Sequence, residues 1–156
     1  MIYKKGGEYM KKTLSLLILL VVLLFLLAGC TSSMSYTYKV TTGDTIKVKL
    51  NTSDGYSITS ELPFKVIKDN TTLTQGTFIT LEGYEQYITA VNKDSNSKII
   101  DRGTKNGVDY IFYSYNNSEF NYIVKIVDSK TGILLGNSVS EQSAKECFER
   151  LTFSKE

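Results

Sequence analysis

Two runs in the second half of the chain, Val108 to Tyr115 and Phe120 to Val127, carry large apolar or aromatic residues at odd and even positions alike, Lys125 excepted. Successive side chains of a β-strand point to opposite faces, so such a run must be covered on both sides. This requirement predicts strands at a sheet centre, with a further layer laid on each face.

The flanking segments alternate more simply. Tyr36, Tyr38 and Val40 alternate with polar residues, and Thr42-Gly43-Asp44 turns the chain. Ile46, Val48 and Leu50 then stand against Thr45, Lys47 and Lys49, the pattern of a strand with one wet face. Asp54-Gly55 signals a tight turn before Tyr56, Ile58 and Ser60. Phe64 and Val66 predict a strand after Pro63, Asp69-Asn70 a turn, and Leu73 to Ile79 a returning strand containing Gly76. This half reads as an antiparallel meander. Further on, Ile99-Ile100 opens a hairpin closed by Asn106-Gly107, a pair that readily takes the positive φ angles of a type I′ turn. Asp128 to Gly132 reads as a hairpin loop with Gly132 in the left-handed position, leading into a strand from Ile133 to Val139.

The period changes twice. Tyr84, Tyr87, Ile88 and Val91 stand at i, i+3, i+4 and i+7, one face of an amphipathic helix that Thr80 can cap. Gly83 in its first turn costs about 1 kcal/mol relative to Ala. Ala144, Cys147, Phe148 and Leu151 repeat the spacing behind Ser140 as N-cap, with Glu141 favourable at the positive helix end. Cys147 therefore points inward, where a thiol is inert, and Phe153 pins the chain end on the same core. The expected fold class is α+β: an antiparallel sheet of about seven strands packed by two helices, about 81–92 and 141–151, preceded by a helical signal segment.

That segment is Met10 to Cys30, MKKTLSLLILLVVLLFLLAGC. Lys11 and Lys12 precede an unbroken apolar run from Leu16 to Leu27, which is short of the roughly 20 residues a spanning helix needs. A basic start, a short apolar run and a small-residue exit mark a secretory signal. Leu27-Ala28-Gly29-Cys30 resembles the lipobox of bacterial lipoproteins. The resemblance implies cleavage between Gly29 and Cys30, diacylglycerol on the Cys30 thiol, and acylation of the new amino terminus. Two or three chains hold firmly where one, at roughly 0.8 kcal/mol per buried CH2, binds only marginally. The expected organisation is a leader at 1–9, a signal peptide at 10–29, the lipidated Cys30 with a polar tether at 30–35, and one domain at 36–156. Lys5-Gly6-Gly7-Glu8 can be encoded by a sequence containing AAAGGAGGTGA, a strong bacterial ribosome-binding site, so synthesis is expected to start at Met10. This coding and the Lys/Asn/Ile/Tyr-rich composition point to a Gram-positive source, with the domain on the extracytoplasmic face of the cell membrane.

Composition narrows the chemistry. Loss of residues 1–29 removes four of 18 basic and one of 16 acidic side chains, leaving 14 and 15. A near-neutral domain without a Lys/Arg cluster is not expected to bind nucleic acid. With Cys30 committed to lipid, Cys147 has no partner for an internal disulfide. The chain contains no histidine, which removes Ser-His-Asp and Cys-His nucleophile systems and His-ligated metals. Asp94-Ser95-Asn96-Ser97 opens like a calcium loop but lacks the required Gly and distant Glu, so no metal or other cofactor is expected. Asp101, Asp109 and Glu119 are the acids that could meet across strands as a carboxylate pair.

The segment from Asn106-Gly107 through Tyr110, the Phe120–Val127 strand, Gly132-Ile133-Leu134-Leu135 and the helix ending Leu151-Thr152-Phe153-Ser154 resembles the PsbP-like α/β sandwich. Members are mostly non-enzymatic adaptors, so the resemblance implies no catalytic residues. The expected function is a membrane-anchored binding or adaptor module for an envelope protein or small ligand, with Tyr36, Tyr38, Tyr56 or Tyr115 as exposed contact residues. The alternatives are a carboxylate-based hydrolase acting on cell-wall or peptide substrates and a structural or stress-related envelope protein with no dedicated ligand.

Overall fold

The structure, a computed structural model, describes residues 32–156, which form one compact unit. Leu27, Ala28, Gly29, Cys30 and the rest of the signal segment lie outside the described residues. Among the described residues no helix is long and apolar enough to cross a membrane.

The elements run β1 (Ser33–Lys39), β2 (Thr45–Asn51), β3 (Tyr56–Ile58), β4 (Phe64–Lys68), β5 (Thr71–Thr80), α1 (Leu81–Lys93), β6 (Ser97–Lys105), β7 (Val108–Tyr115), β8 (Glu119–Ile126), β9 (Thr131–Asn137), α2 (Glu141–Arg150) and β10 (Leu151–Lys155). A seven-stranded sheet has the order β3-β4-β5-β9-β8-β7-β6, and a second sheet the order β1-β2-β10. Every pairing is antiparallel.

Alternation along β8 sets the layers. Ile123 points to one face of the large sheet, where it meets Tyr84 and Val91 of α1, with Ile79 and Leu134 packed alongside. Tyr122, Val124 and Ile126 point to the other face, against Ala144, Cys147 and Phe148 of α2 and Ile46, Val48, Leu50 and Phe153 of the small sheet. The doubly apolar β8 is thus covered on both sides. β7 lies second from an edge, displaced from the centre by β9, where Ile133 and Leu135 are buried beside Gly132 and Gly136.

Both helices start at their expected caps. Thr80 Oγ1 accepts from Gly83 N at 3.1 Å, and Ser140 Oγ from Ser143 N at 3.0 Å. The Asn106-Gly107 turn has φ of 50° and 78°, as a type I′ hairpin requires.

Four expectations are corrected. The first-half meander is divided: β1 and β2 leave the large sheet and pair with β10, a strand where a helix end and a pinned tail were expected. Leu151↔Leu50 and Phe153↔Val48 are in register, so burial of these alternating residues ends the helix at Arg150. Ser33 to Ser35 belong to β1, pairing with Lys49 to Asn51, rather than to a tether. In the β8–β9 loop, Asp128 takes the left-handed backbone at φ 59°. Gly132 instead lies within β9, where a Cβ would stand 3.0 Å from the Val124 carbonyl oxygen.

Candidate functional site

A cleft of about 500 Å³ opens beside α2, bounded by β6, β7 and β8 and by the chain just after β2. Its size falls within the roughly 300–1,000 Å³ typical of small-molecule sites. The floor is an aromatic column. Phe112 and Tyr122 are directly opposed on β7 and β8, and their rings stack at 4.3 Å. Phe148 of α2 stacks on Tyr122 at 4.1 Å. Tyr110 leans on Phe148 at 5.0 Å and forms a wall. It can lie there because its cross-strand partner is Gly103, where a Cβ would come within 3.2 Å of the Tyr110 hydroxyl.

The charged groups around the cleft are paired. Tyr110 donates to Asp101 Oδ2 at 2.9 Å. Lys105 pairs with Glu149, and Lys145 with Glu141 at 2.6 Å. Glu146 accepts from Gln142 at 2.9 Å and from the Tyr56 hydroxyl at 3.0 Å. These bonds hold the Glu146 carboxyl below its ordinary pKa. Arg150 donates to Ser53 and to Asp54 Oδ2, the latter at 2.6 Å, and its guanidinium lies 4.0 Å over the Tyr56 ring. Hydrogen bonding from Arg150 lowers the Asp54 pKa correspondingly.

Tyr122 is different. The residue is only 5% exposed because its ring is buried; its hydroxyl bonds to none of the described residues and reaches the solvent of the cleft instead. Burial pushes its pKa up strongly, with further contributions from Tyr110, Glu149, Asp101 and Glu141, groups that stand around the cleft. The hydroxyl therefore looks into the cleft as a neutral donor and acceptor at physiological pH.

The acids singled out from sequence are not brought together. Asp101 stands at the cleft. Asp109 accepts from Thr104 at 2.8 Å and, by strand alternation, projects from the opposite face of β7 to Tyr110, near Tyr84 of α1. Glu119 lines a separate polar groove with Gln75 and Asn121. Two of the tyrosines expected at the surface are core residues: Tyr38 is buried and donates to the Thr59 carbonyl at 3.1 Å, and Tyr56 is buried between Arg150 and Lys68. Tyr36 and Tyr115 are half-buried. Cys147 is fully buried, and burial pushes its thiol pKa up. Asp94 caps the end of α1 and accepts from Asn96 N at 2.9 Å.

The cleft residues Tyr110, Tyr122, Phe148 and Arg150 were not picked out from sequence. One signal existed: Tyr110 and Phe112 share parity across the short Asn116-Asn117-Ser118 turn with Phe120 and Tyr122, which makes them opposed or diagonal neighbours on one face. No protein family, curated protein or solved structure matches the chain.

Proposed function

We propose that the chain is an extracytoplasmic lipoprotein, anchored through acylated Cys30 at the cell membrane, whose domain is a non-enzymatic binding module using the cleft beside α2. The observation that carries the binding role is the Tyr122 hydroxyl, which stands at that cleft at the end of a buried ring and has no hydrogen-bond partner among the described residues. A few polar groups set among apolar walls fix the orientation of a small guest, and this hydroxyl is free to bond to one in place of water. Binding is favoured over proton transfer because Glu146 is held in its charged form by two hydrogen bonds, whereas a general acid would need its pKa raised. The anchor rests on the order of Lys11-Lys12, the apolar run and Leu27-Ala28-Gly29-Cys30.

Two measurements test the two halves. Labelled palmitate should enter the wild type and not Cys30→Ala; equal incorporation would overturn the anchor. A photo-crosslinking residue at exposed Gln142, on the cleft, should capture a molecule on intact cells that the same residue at exposed Glu85 on α1 does not. Equal capture at the two positions, or none at either, would overturn the cleft as the binding site.

A further inference from the structure

We infer that the cleft beside α2 takes a neutral, hydroxyl-rich guest, a saccharide of one or two rings, with the Tyr122 hydroxyl at its floor. This rests on the reading of the cleft as a binding site and names the chemistry of what binds there. Three observations carry it.

Charge comes first. The cations at the cleft are already matched, Arg150 with Asp54, Lys145 with Glu141 and Lys105 with Glu149, while Glu146 and Asp101 accept only from neutral donors, a tyrosine hydroxyl in each case among them, and keep their charge. An anionic guest would find no free cation and would face these two carboxylates, whereas a neutral guest can donate to them and leave the ion pairs intact.

Polarity comes second. Asp101, Glu146 and Glu149 are carboxylates, which only accept, and each has lone pairs beyond those its present partners use. The guest must therefore be rich in donors, and hydroxyls supply them without the desolvation cost that a charged group brings into a cleft. A sugar ring offers a hydroxyl donor at most carbons, whereas an extended neutral peptide offers one backbone N–H per residue.

The third is the aromatic surface. Both neighbours of the Tyr122 ring are taken by Phe112 and Phe148, so Tyr122 presents its hydroxyl end and half-buried Tyr110 presents ring surface along the wall. An apolar sugar face against Tyr110, with hydroxyls toward Tyr122 and the carboxylates, matches this division of the cleft into an apolar wall and a polar rim.

The test is calorimetric titration of the detergent-solubilised full chain with cellobiose, maltose and di-N-acetylchitobiose. Saturable binding of at least one disaccharide is expected, about tenfold weaker in Tyr122→Phe, which removes one bond to the guest and none within the described protein. Gly103→Val, which drives Tyr110 from the wall, should abolish it, while Glu85→Gln on α1 should leave it unchanged. Tyrosine near-ultraviolet circular dichroism of each variant reports whether its fold is retained. Failure of all three sugars, or binding unaltered in Tyr122→Phe with the fold retained, would overturn the saccharide assignment. Such a failure, combined with capture of a peptide or protein at Gln142, would overturn the ligand class and leave the binding module standing. Failure of both would overturn the cleft itself.

Discussion

Replacing Gly76 by alanine tests the packing of the main core at its tightest place. Phe64 on β4 is directly opposite Gly76 on β5, and its ring lies across the glycine. A Cβ at position 76 would stand 2.0 Å from Phe64 Cζ and 2.4 Å and 2.6 Å from the two Cε atoms, well inside contact distance. Nothing nearby yields easily. Phe64 is fully buried, and its ring is packed among Phe78 at 6.1 Å, Tyr38 at 6.2 Å and Phe153 at 6.5 Å. The ring must leave its rotamer, at about 0.5–1.5 kcal/mol, and overpack its neighbours, at about 1–3 kcal/mol. Together these predict a loss of roughly 3 kcal/mol, partly offset because Ala suits a strand slightly better than Gly. With a urea slope near 1.5 kcal/mol/M, the unfolding midpoint should fall by about 2 M. The decisive measurement is the double-mutant cycle with Phe64→Ala, which alone should cost about 3–5 kcal/mol. In that background Gly76→Ala should cost less than about 1 kcal/mol, since the clashing ring is gone. Equal costs of Gly76→Ala in the two backgrounds would refute the reasoning.

Three further outcomes follow from the same structure. The amide of Lys130, then Lys155 and Thr131, hydrogen-bond Asp44 and lower its pKa in the folded state, so its stabilisation is complete above its unfolded pKa near 4 and is lost as pH falls through the folded value. Asp44→Asn should therefore destabilise at pH 7 and flatten the acid limb of a plot of urea midpoint against pH. Ser140→Ala should cost about 1 kcal/mol by removing the cap on α2, and Ser140→Gly only a few tenths, both read from urea midpoints. Cys147 should resist thiol reagents in the native protein and react only as fast as the domain opens, so that its modification rate rises in step with unfolding as urea is added.

Local chemistry was legible in the sequence and long-range partnership much less so. Thr80 and Ser140, the Asn106-Gly107 turn, the 3.6-residue spacings and the double-faced run at Tyr122-Ile123-Val124 each announce their structure within a few residues. The second sheet does not. Leu151-Thr152-Phe153-Ser154 alternates over too few positions to outweigh the helical spacing before it, and only Ile46, Val48 and Leu50, far upstream, make it a strand. The cleft was hidden for a similar reason. Scanning for acids found Asp101, Asp109 and Glu119, which strand parity sends to different places. The group that matters is an aromatic residue that periodicity assigns to the core. Tyr122 is indeed buried there as a ring, and only its last atom belongs to the site.

The order β1-β2-β10 has a consequence for how the protein comes into being. β2 emerges early from the ribosome, with three large aliphatic residues that have a neighbour on one side only. Its second neighbour is synthesised roughly a hundred positions later, so closure of the small sheet spans most of the domain. Until Phe153 arrives opposite Val48, the small sheet lacks one of its three strands and the main core lacks Leu151 and Phe153. Closure of the small sheet is thus among the most non-local pairings in the domain, the kind that raises contact order and slows folding.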